Sequence, residues 1–207
     1  MHNFKVKIPS GVSGDWSVTQ FTVSPEESKF DAMRGMFHGG RYVPAGTYTA
    51  LKRGTVTVMS DTPDELRDLW ELQRNAKQGR VFIVGLGLGC AVQLVLERAE
   101  VELVTVVEKS PDVIKLVSPA LLAGYGKRLE IIEGDGLTYK IPKDVRYNAA
   151  WYDIWDYICG DNQEEMTKFK RRFGRRMDWH GCWCEYQVKR ANQQSRREDA
   201  MYSMFRR

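Results

Sequence analysis

The sequence predicts an α/β fold: a doubly wound, mostly parallel sheet of about five to seven strands, with a small β-rich extension at the N-terminus. Three observations carry this prediction. From residue 80 onward, short apolar runs alternate with segments of helical period. The first run, VFIVG, breaks into a glycine turn, GLGLGC, with glycines at 85, 87 and 89. Before residue 62 the pattern is instead extended and turn-rich. The boundary falls there, giving an extension over 1–62 and an α/β domain over 63–207 with a basic C-terminal segment.

The elements follow in order. Ser24 can cap a helix in SPEESKFDAMRGMF, with Pro25 at its first position and Glu27 closing a capping box. GTYTALKRGTVTVMS (46–60) reads as a hairpin that turns near Arg53-Gly54. Thr62-Pro63-Asp64-Glu65 repeats the capping grammar and opens a helix to about Lys77. VFIVG (81–85) is then a strand, CAVQLVLERA (90–99) a helix and VELVTVVE (101–108) a second strand. Ser110-Pro111-Asp112 opens a helix over VIKLVSPALL. LEIIEGD (129–135) and NAAWYDI (148–154) are the third and fourth strands. Asp161 is placed as the cap of a helix running to Met177, because Met166, Phe169, Phe173 and Met177 fall on one helical face. CWCEYQV (182–188) reads as a fifth strand, before a basic terminal helix. Strands alternating with helices imply a parallel sheet covered on both faces.

Composition narrows the function classes. The chain has 207 residues, 43% hydrophobic and 28% charged, as in ordinary globular domains. No apolar run approaches the ~20 residues of a membrane span, and MHNFKVKIPSG has no apolar signal-peptide core, so a cytoplasmic protein is expected. Four cysteines are too scattered for a disulfide scaffold. Cys182 and Cys184 would share one face of a strand, but zinc needs about two further ligands, and no metal site is expected. The net charge of +4 is uneven: residues 168–207 carry 12 Lys and Arg against 4 Asp and Glu. Such a segment either solvates a helix face or meets phosphate or an acidic partner.

Ligands of doubly wound sheets bind beyond the carboxyl ends of the strands, where the strand order reverses. The chemistry-bearing residues all fall at such ends. Gly85, Gly87 and Gly89 let the chain turn sharply, remove Cβ atoms from a ligand's path and lead to a helix start with free N–H groups. Glu108 ends the second strand, where a carboxylate can accept from both hydroxyls of a ribose; its alternative is pairing with Lys109 or capping the following helix. Asp135, in Glu133-Gly134-Asp135-Gly136, could accept from the exocyclic amine of a purine or simply shape an Asp-Gly turn. Cys90 stands where a dinucleotide fingerprint would have its third glycine, and no Tyr-x-x-x-Lys pair is present, which disfavours a nicotinamide oxidoreductase.

VGLGLG, VTVVEKSPDVIKLV and LEIIEGDG, in that order, resemble the class I S-adenosylmethionine-dependent methyltransferase superfamily over roughly residues 80–160. Within it the look is nearest to spermidine-synthase-like proteins. Ile83 is apolar where most methyltransferases are acidic, and ALKRGTVTVMSDTPDELRDLWE repeats that branch's hairpin-then-helix layout. The resemblance implies a Rossmann-like fold and S-adenosylmethionine, or its decarboxylated form, as cofactor. It puts Gly85, Gly87 and Gly89 under the amino-acid end of that ligand. Glu108, with Lys109 beside it, would be at the ribose, and Asp135 and Gly136 at the adenine.

In that superfamily the fourth strand's end faces the reacting group, and here it reads WYDIWDYIC. Asp153 is the candidate general base, since an amine attacks only when neutral, and Asp156 would orient the substrate. Trp151, Tyr152, Trp155 and Tyr157 surround them and could cover a cation, or in part be core. The polyamine synthases' Tyr-His-Glu motif is replaced by Leu66-Arg67-Asp68, and the Asp/Asn-Pro-Pro-aromatic motif of base methyltransferases by Asp153-Ile154-Trp155-Asp156. Two readings stay open: a methyl or aminopropyl transferase acting on a small-molecule amine or similar nucleophile, and a non-catalytic module binding nucleic acid or protein through its basic segment. N-terminal aromatics such as Trp16, Phe21 and Tyr48 would line a lid or a homodimer contact.

Overall fold

The structure, a computed structural model, describes residues 4–38 and 42–205. Four strands, β1 (Gly11–Ser13), β2 (Trp16–Val23), β3 (Gly46–Arg53) and β4 (Val56–Ser60), form an antiparallel sheet in chain order. The β3–β4 hairpin turns at Gly54, whose φ of 58 explains the glycine. Between β2 and β3 runs α1 (Pro25–His38). Its capping box is formed: the Ser24 N–H donates to Glu27 Oε2 at 2.8 Å, and the Glu27 N–H to Ser24 Oγ at 3.2 Å.

Five strands, β5 (Gly79–Val84), β6 (Val101–Glu108), β7 (Leu129–Glu133), β8 (Tyr147–Tyr152) and β9 (Met177–Cys182), form the second sheet. Their order is β7-β6-β5-β8-β9, and every pairing is parallel. The order therefore reverses between β5 and β8. Both faces are covered, which is why the strands read as unbroken apolar runs. Val81 and Ile83 of β5 face one apolar cluster, which includes α4 (Cys90–Leu96) and α5 (Pro111–Tyr125). Phe82 and Val84 face another, built with Met166, Phe169 and Phe173 of α6 (Asn162–Phe173) and Val188 of α7 (Glu185–Phe205). This is a Rossmann-like, doubly wound architecture with five strands among the described residues.

The first cluster also contains Val6, Ile8, Val18 and Leu51, so the N-terminal sheet shares its core with the parallel sheet. Ser13 Oγ donates to Asp112 Oδ1 at 2.7 Å, tying β1 to the start of α5.

Three elements differ from the sequence-based expectation. The helix opening at Pro63 is split into α2 (Pro63–Asp68) and α3 (Trp70–Asn75). Leu66, Leu69 and Leu72 are all buried and three apart, and a tighter turn at Leu69 keeps such a row on one face. The final strand is β9, Met177–Cys182, and residues 185–205 are helical. Met177 continues the apolar spacing of α6, but a 3-10 turn over Gly174–Arg176 ends that helix and starts the strand. Cys184 follows in a turn at φ 50, so Cys182 and Cys184 do not share a strand face. Finally, Asp161 makes no side-chain cap. Asn162 orders this entry instead, its Nδ2 donating to the Tyr157 carbonyl at 2.7 Å.

Gly89 has φ 78, and a Cβ there would lie 3.0 Å from Leu121 of α5. Gly89→Ala is expected to lower unfolding free energy by about 1–3 kcal/mol, read as a lower urea midpoint at unchanged slope.

Candidate functional site

A cavity of about 750 Å³ opens over the carboxyl ends of β5, β6, β7 and β8, where the strand order reverses. Its lining includes Gly85, Gly87, Glu108, Lys109, Asp135, Gly136, Asp153 and Asp156. Gly89 lies behind the wall, packed on Leu121 and Val117 of α5. One cavity thus gathers eight of the nine residues expected at a site.

The glycine turn is shaped by protein contacts as well as by the cavity. Gly85, Gly87 and Gly89 all have positive φ (96, 50 and 78). A Cβ on Gly85 would overlap the Asp153 carbonyl, and one on Gly87 would lie 2.8 Å from the Met59 sulfur. Several amides of the turn bond within the protein. Gly85 donates to the Val107 carbonyl at 2.9 Å, Leu86 to Glu108 Oε2 at 2.7 Å and Leu88 to Met59 Sδ at 3.3 Å. Packing alone therefore requires glycine at these positions.

Glu108 joins two loops. Its Oε2 accepts from Leu86 and its Oε1 from the Ser110 N–H at 2.7 Å. Each carboxylate oxygen keeps a second lone pair, and the residue lines the cavity. Lys109 pairs with Asp135 rather than Glu108, at 3.0 Å. Asp135 Oδ1 also accepts from the Leu137 N–H at 2.8 Å, closing the Asp-Gly turn. The Lys109 hydrogen bond, with that backbone bond, holds the Asp135 carboxyl below its usual range. Gly136 leaves no room for a Cβ against Val84.

Asp153 leaves β8 beside Gly85, its N–H donating to the Val84 carbonyl at 2.8 Å. Burial pushes its carboxyl up to about 7, and the nearby Asp68 and Glu65 carboxylates add to the rise. The buried Trp151 indole N–H opposes it, although it completes no hydrogen bond of normal geometry. Such a carboxyl exchanges a proton near neutrality, as a general base must.

Glu65 was not singled out from the sequence beyond its place in a helix-capping pattern. It reaches the cavity from α2, accepting from the Ser60 N–H at 2.5 Å and the Ser60 hydroxyl at 2.9 Å. Asp156 is held by Arg53 of β3, with Nη2 to Oδ2 at 2.5 Å. The Arg53 guanidinium in turn lies 5.4 Å from the Trp16 ring centroid. The hairpin of the N-terminal sheet is thus one wall of the site, through Trp16, Arg53, Val58 and Met59. The four aromatics around the aspartates divide. Trp151 and Tyr152 are core, whereas Trp155 and Tyr157 face the cavity with Trp183. The Trp155 indole donates to Glu165 Oε2 at 2.9 Å.

The basic segment has structural work. Lys168 pairs with Glu164 at 2.8 Å and Lys170 with Glu185 at 2.5 Å. Arg172 binds the carbonyls of Thr138 and Tyr139, and Arg176 that of Pro142. Arg171 and Arg175 remain exposed. Among the described residues no cluster of three or more His, Cys, Asp or Glu is suited to a metal, and no helix is long and apolar enough to cross a membrane. None of the four cysteines is in a disulfide, and burial raises the Cys90 and Cys182 thiols.

No family model and no curated protein matches the chain. Solved structures similar to part of it include a putative RNA methyltransferase from Pyrococcus horikoshii (16% identity, 60% of each chain covered, TM-score 0.44). A putative caffeoyl-CoA O-methyltransferase from Staphylococcus aureus is 19% identical, over 54% of this chain and 51% of that one, with a TM-score of 0.43. A glycopeptide N-methyltransferase complexed with sinefungin is 16% identical, over 54% and 44%, with a TM-score of 0.41. The chain thus spans from under half to three-fifths of these proteins' lengths. The functional reading rests on the site's own geometry.

The raised Asp153 carboxyl has a pH signature. Folded protein holds this proton more tightly than unfolded chain, so the stability it contributes is present below about pH 4 and lost as pH rises through about 7. Urea titrations across that window should show Asp153→Asn losing less stability than the unaltered protein. Parallel curves would place the carboxyl's pKa at its ordinary value.

Proposed function

We propose that this protein is an S-adenosylmethionine-dependent transferase that moves a methyl group, or an aminopropyl group from the decarboxylated donor, to an amine. The observation that carries this reading is Asp153: a carboxyl raised to about 7 at the strand-order reversal, in a cavity shared with Glu108.

The residues fit an adenosyl ligand. Glu108 has open lone pairs at the end of β6, where ribose hydroxyls would bind. Asp135 and Gly136 line the adenine side, with Lys109 latching Asp135 in place. Gly85 and Gly87 border the amino-acid side. An acidic, aromatic cavity suits a sulfonium cation. When bound, such a donor supplies an electrophilic carbon whose bond to sulfur breaks toward sulfur as the nucleophile attacks.

This chain's own residues supply the rest. Asp153, when ionised, accepts the proton that the attacking nitrogen loses. Burial, with Asp68 and Glu65 adding to it, keeps its carboxylate basic enough to do so near neutral pH. Asp156, fixed by Arg53, and Trp155, fixed by Glu165, border the acceptor. Binding of nucleic acid through the basic segment has less support, because Lys168 and Lys170 are paired and Arg172 and Arg176 brace a loop.

Calorimetric titration with S-adenosylmethionine, S-adenosylhomocysteine and NAD tests the cofactor. The adenosyl ligands should bind at micromolar concentration and NAD should not; no adenosyl binding, or tighter NAD binding, sinks the reading. Glu108→Ala should weaken adenosyl binding by about 1–3 kcal/mol. Asp153→Asn should keep that binding and lower turnover of an accepted amine about 100-fold or more, removing a rate limb near pH 7.

A further inference from the structure

The strand order divides the cavity into two halves of different chemistry. Over β5, β6 and β7 the lining mixes Glu108, Lys109, Ser110 and Asp135 with glycines and with Val84, Val107, Val113 and Leu137. Over β8 and the N-terminal sheet the carboxylates Glu65, Asp153, Asp156 and Glu165 stand among large apolar and aromatic side chains, Trp16, Val58, Ile154, Trp155, Tyr157 and Ile158. Three of these are open to solvent: Ile154 at 39%, Tyr157 at 70% and Ile158 at 40% relative exposure. Large apolar side chains grouped at a cavity mouth mark a surface that a ligand covers.

The carboxylates of this half are unequally available. Asp153 is on the cavity's inner side, next to the glycine turn, whereas both Glu65 oxygens already accept from Ser60. Asp156 already holds a cation, the Arg53 guanidinium, which lies against the Trp16 face as a ligand ammonium would. Glu165 is turned to the Trp155 indole, which fixes one of its oxygens. A second ammonium entering beside Asp156 would meet Arg53 and be repelled.

We propose that the acceptor half of this cavity takes an amine with a single cationic nitrogen on a flat apolar body, Arg53 standing where a diamine's second ammonium would sit. The nitrogen lies toward Asp153, and the apolar body spans Trp16, Trp155 and Tyr157. This assignment rests on the transferase reading above and goes further, selecting an aryl monoamine over a linear diamine.

The test is calorimetry at pH 8 in the presence of saturating S-adenosylhomocysteine, with tryptamine and 1,4-diaminobutane as probes. The unaltered protein should bind tryptamine at least tenfold more tightly. In Arg53→Gln the tryptamine-to-diamine ratio should fall at least tenfold, because Asp156 is released for a second ammonium. Arg53→Lys, which keeps a cation in place, should retain the preference. Arg53 is about half exposed (52%), and thermal melting checks that both variants fold. Equal or tighter diamine binding by the unaltered protein, or an unchanged ratio in Arg53→Gln, overturns the proposal and leaves the cofactor reading standing. Failure of S-adenosylhomocysteine to bind at all defeats that reading, and this assignment with it.

Discussion

The site depends on how closely the ends of β5 and β8 approach. The Asp153 N–H donates to the Val84 carbonyl at 2.8 Å, and the Asp153 carbonyl fills the space where a side chain on residue 85 would begin. Only glycine at φ 96 allows that contact. At this point the strand order reverses, so the following chains diverge, one toward α4 and the other toward α6. The cavity is the gap between them. Moving either end would misplace Gly85 and Asp153 together, which couples the floor under a ligand to the carboxyl that would serve it.

Charge in the cavity is graded. Over β6 and β7 each carboxylate has hydrogen-bond donors: Leu86 and Ser110 for Glu108, Lys109 and Leu137 for Asp135. Donors stabilise the ionised form, and Asp135 is held acidic accordingly. At the end of β8 the balance is reversed. Asp153 is desolvated and faces Glu65 and Asp68, so its proton is held to about pH 7. The cavity thus holds carboxylates in two kinds of surroundings, donor-rich over β6 and β7 and desolvated at the end of β8.

The N-terminal sheet completes this arrangement. Its apolar residues Val18 and Leu51, with Val6 and Ile8 of the segment before it, belong to the same core cluster as β5 and α5. That packing sets the hairpin over the glycine turn, with the Met59 sulfur against Gly87 and Arg53 reaching Asp156. A hairpin anchored by shared core supplies a rigid wall for the cavity.

The sequence alone determined the order of elements, the parallel sheet and the strand ends carrying Gly85, Glu108, Asp135 and Asp153. Apolar periodicity and turn residues are local properties, and in a doubly wound sheet they suffice to say which residues meet at one edge. Local pattern failed where two elements share an apolar spacing. Met177 continues the helical face of α6 yet begins β9, and the Cys-x-Cys run closes a strand instead of forming one. Tertiary structure alone decided that the Leu86 and Leu88 amides bond to Glu108 and Met59, that Asp153 is raised by burial, and that Arg53 holds Asp156 across 103 residues of chain. Those are contacts between segments remote in sequence. Their energies come from burial and from charges brought together by packing, and no window along the chain contains either.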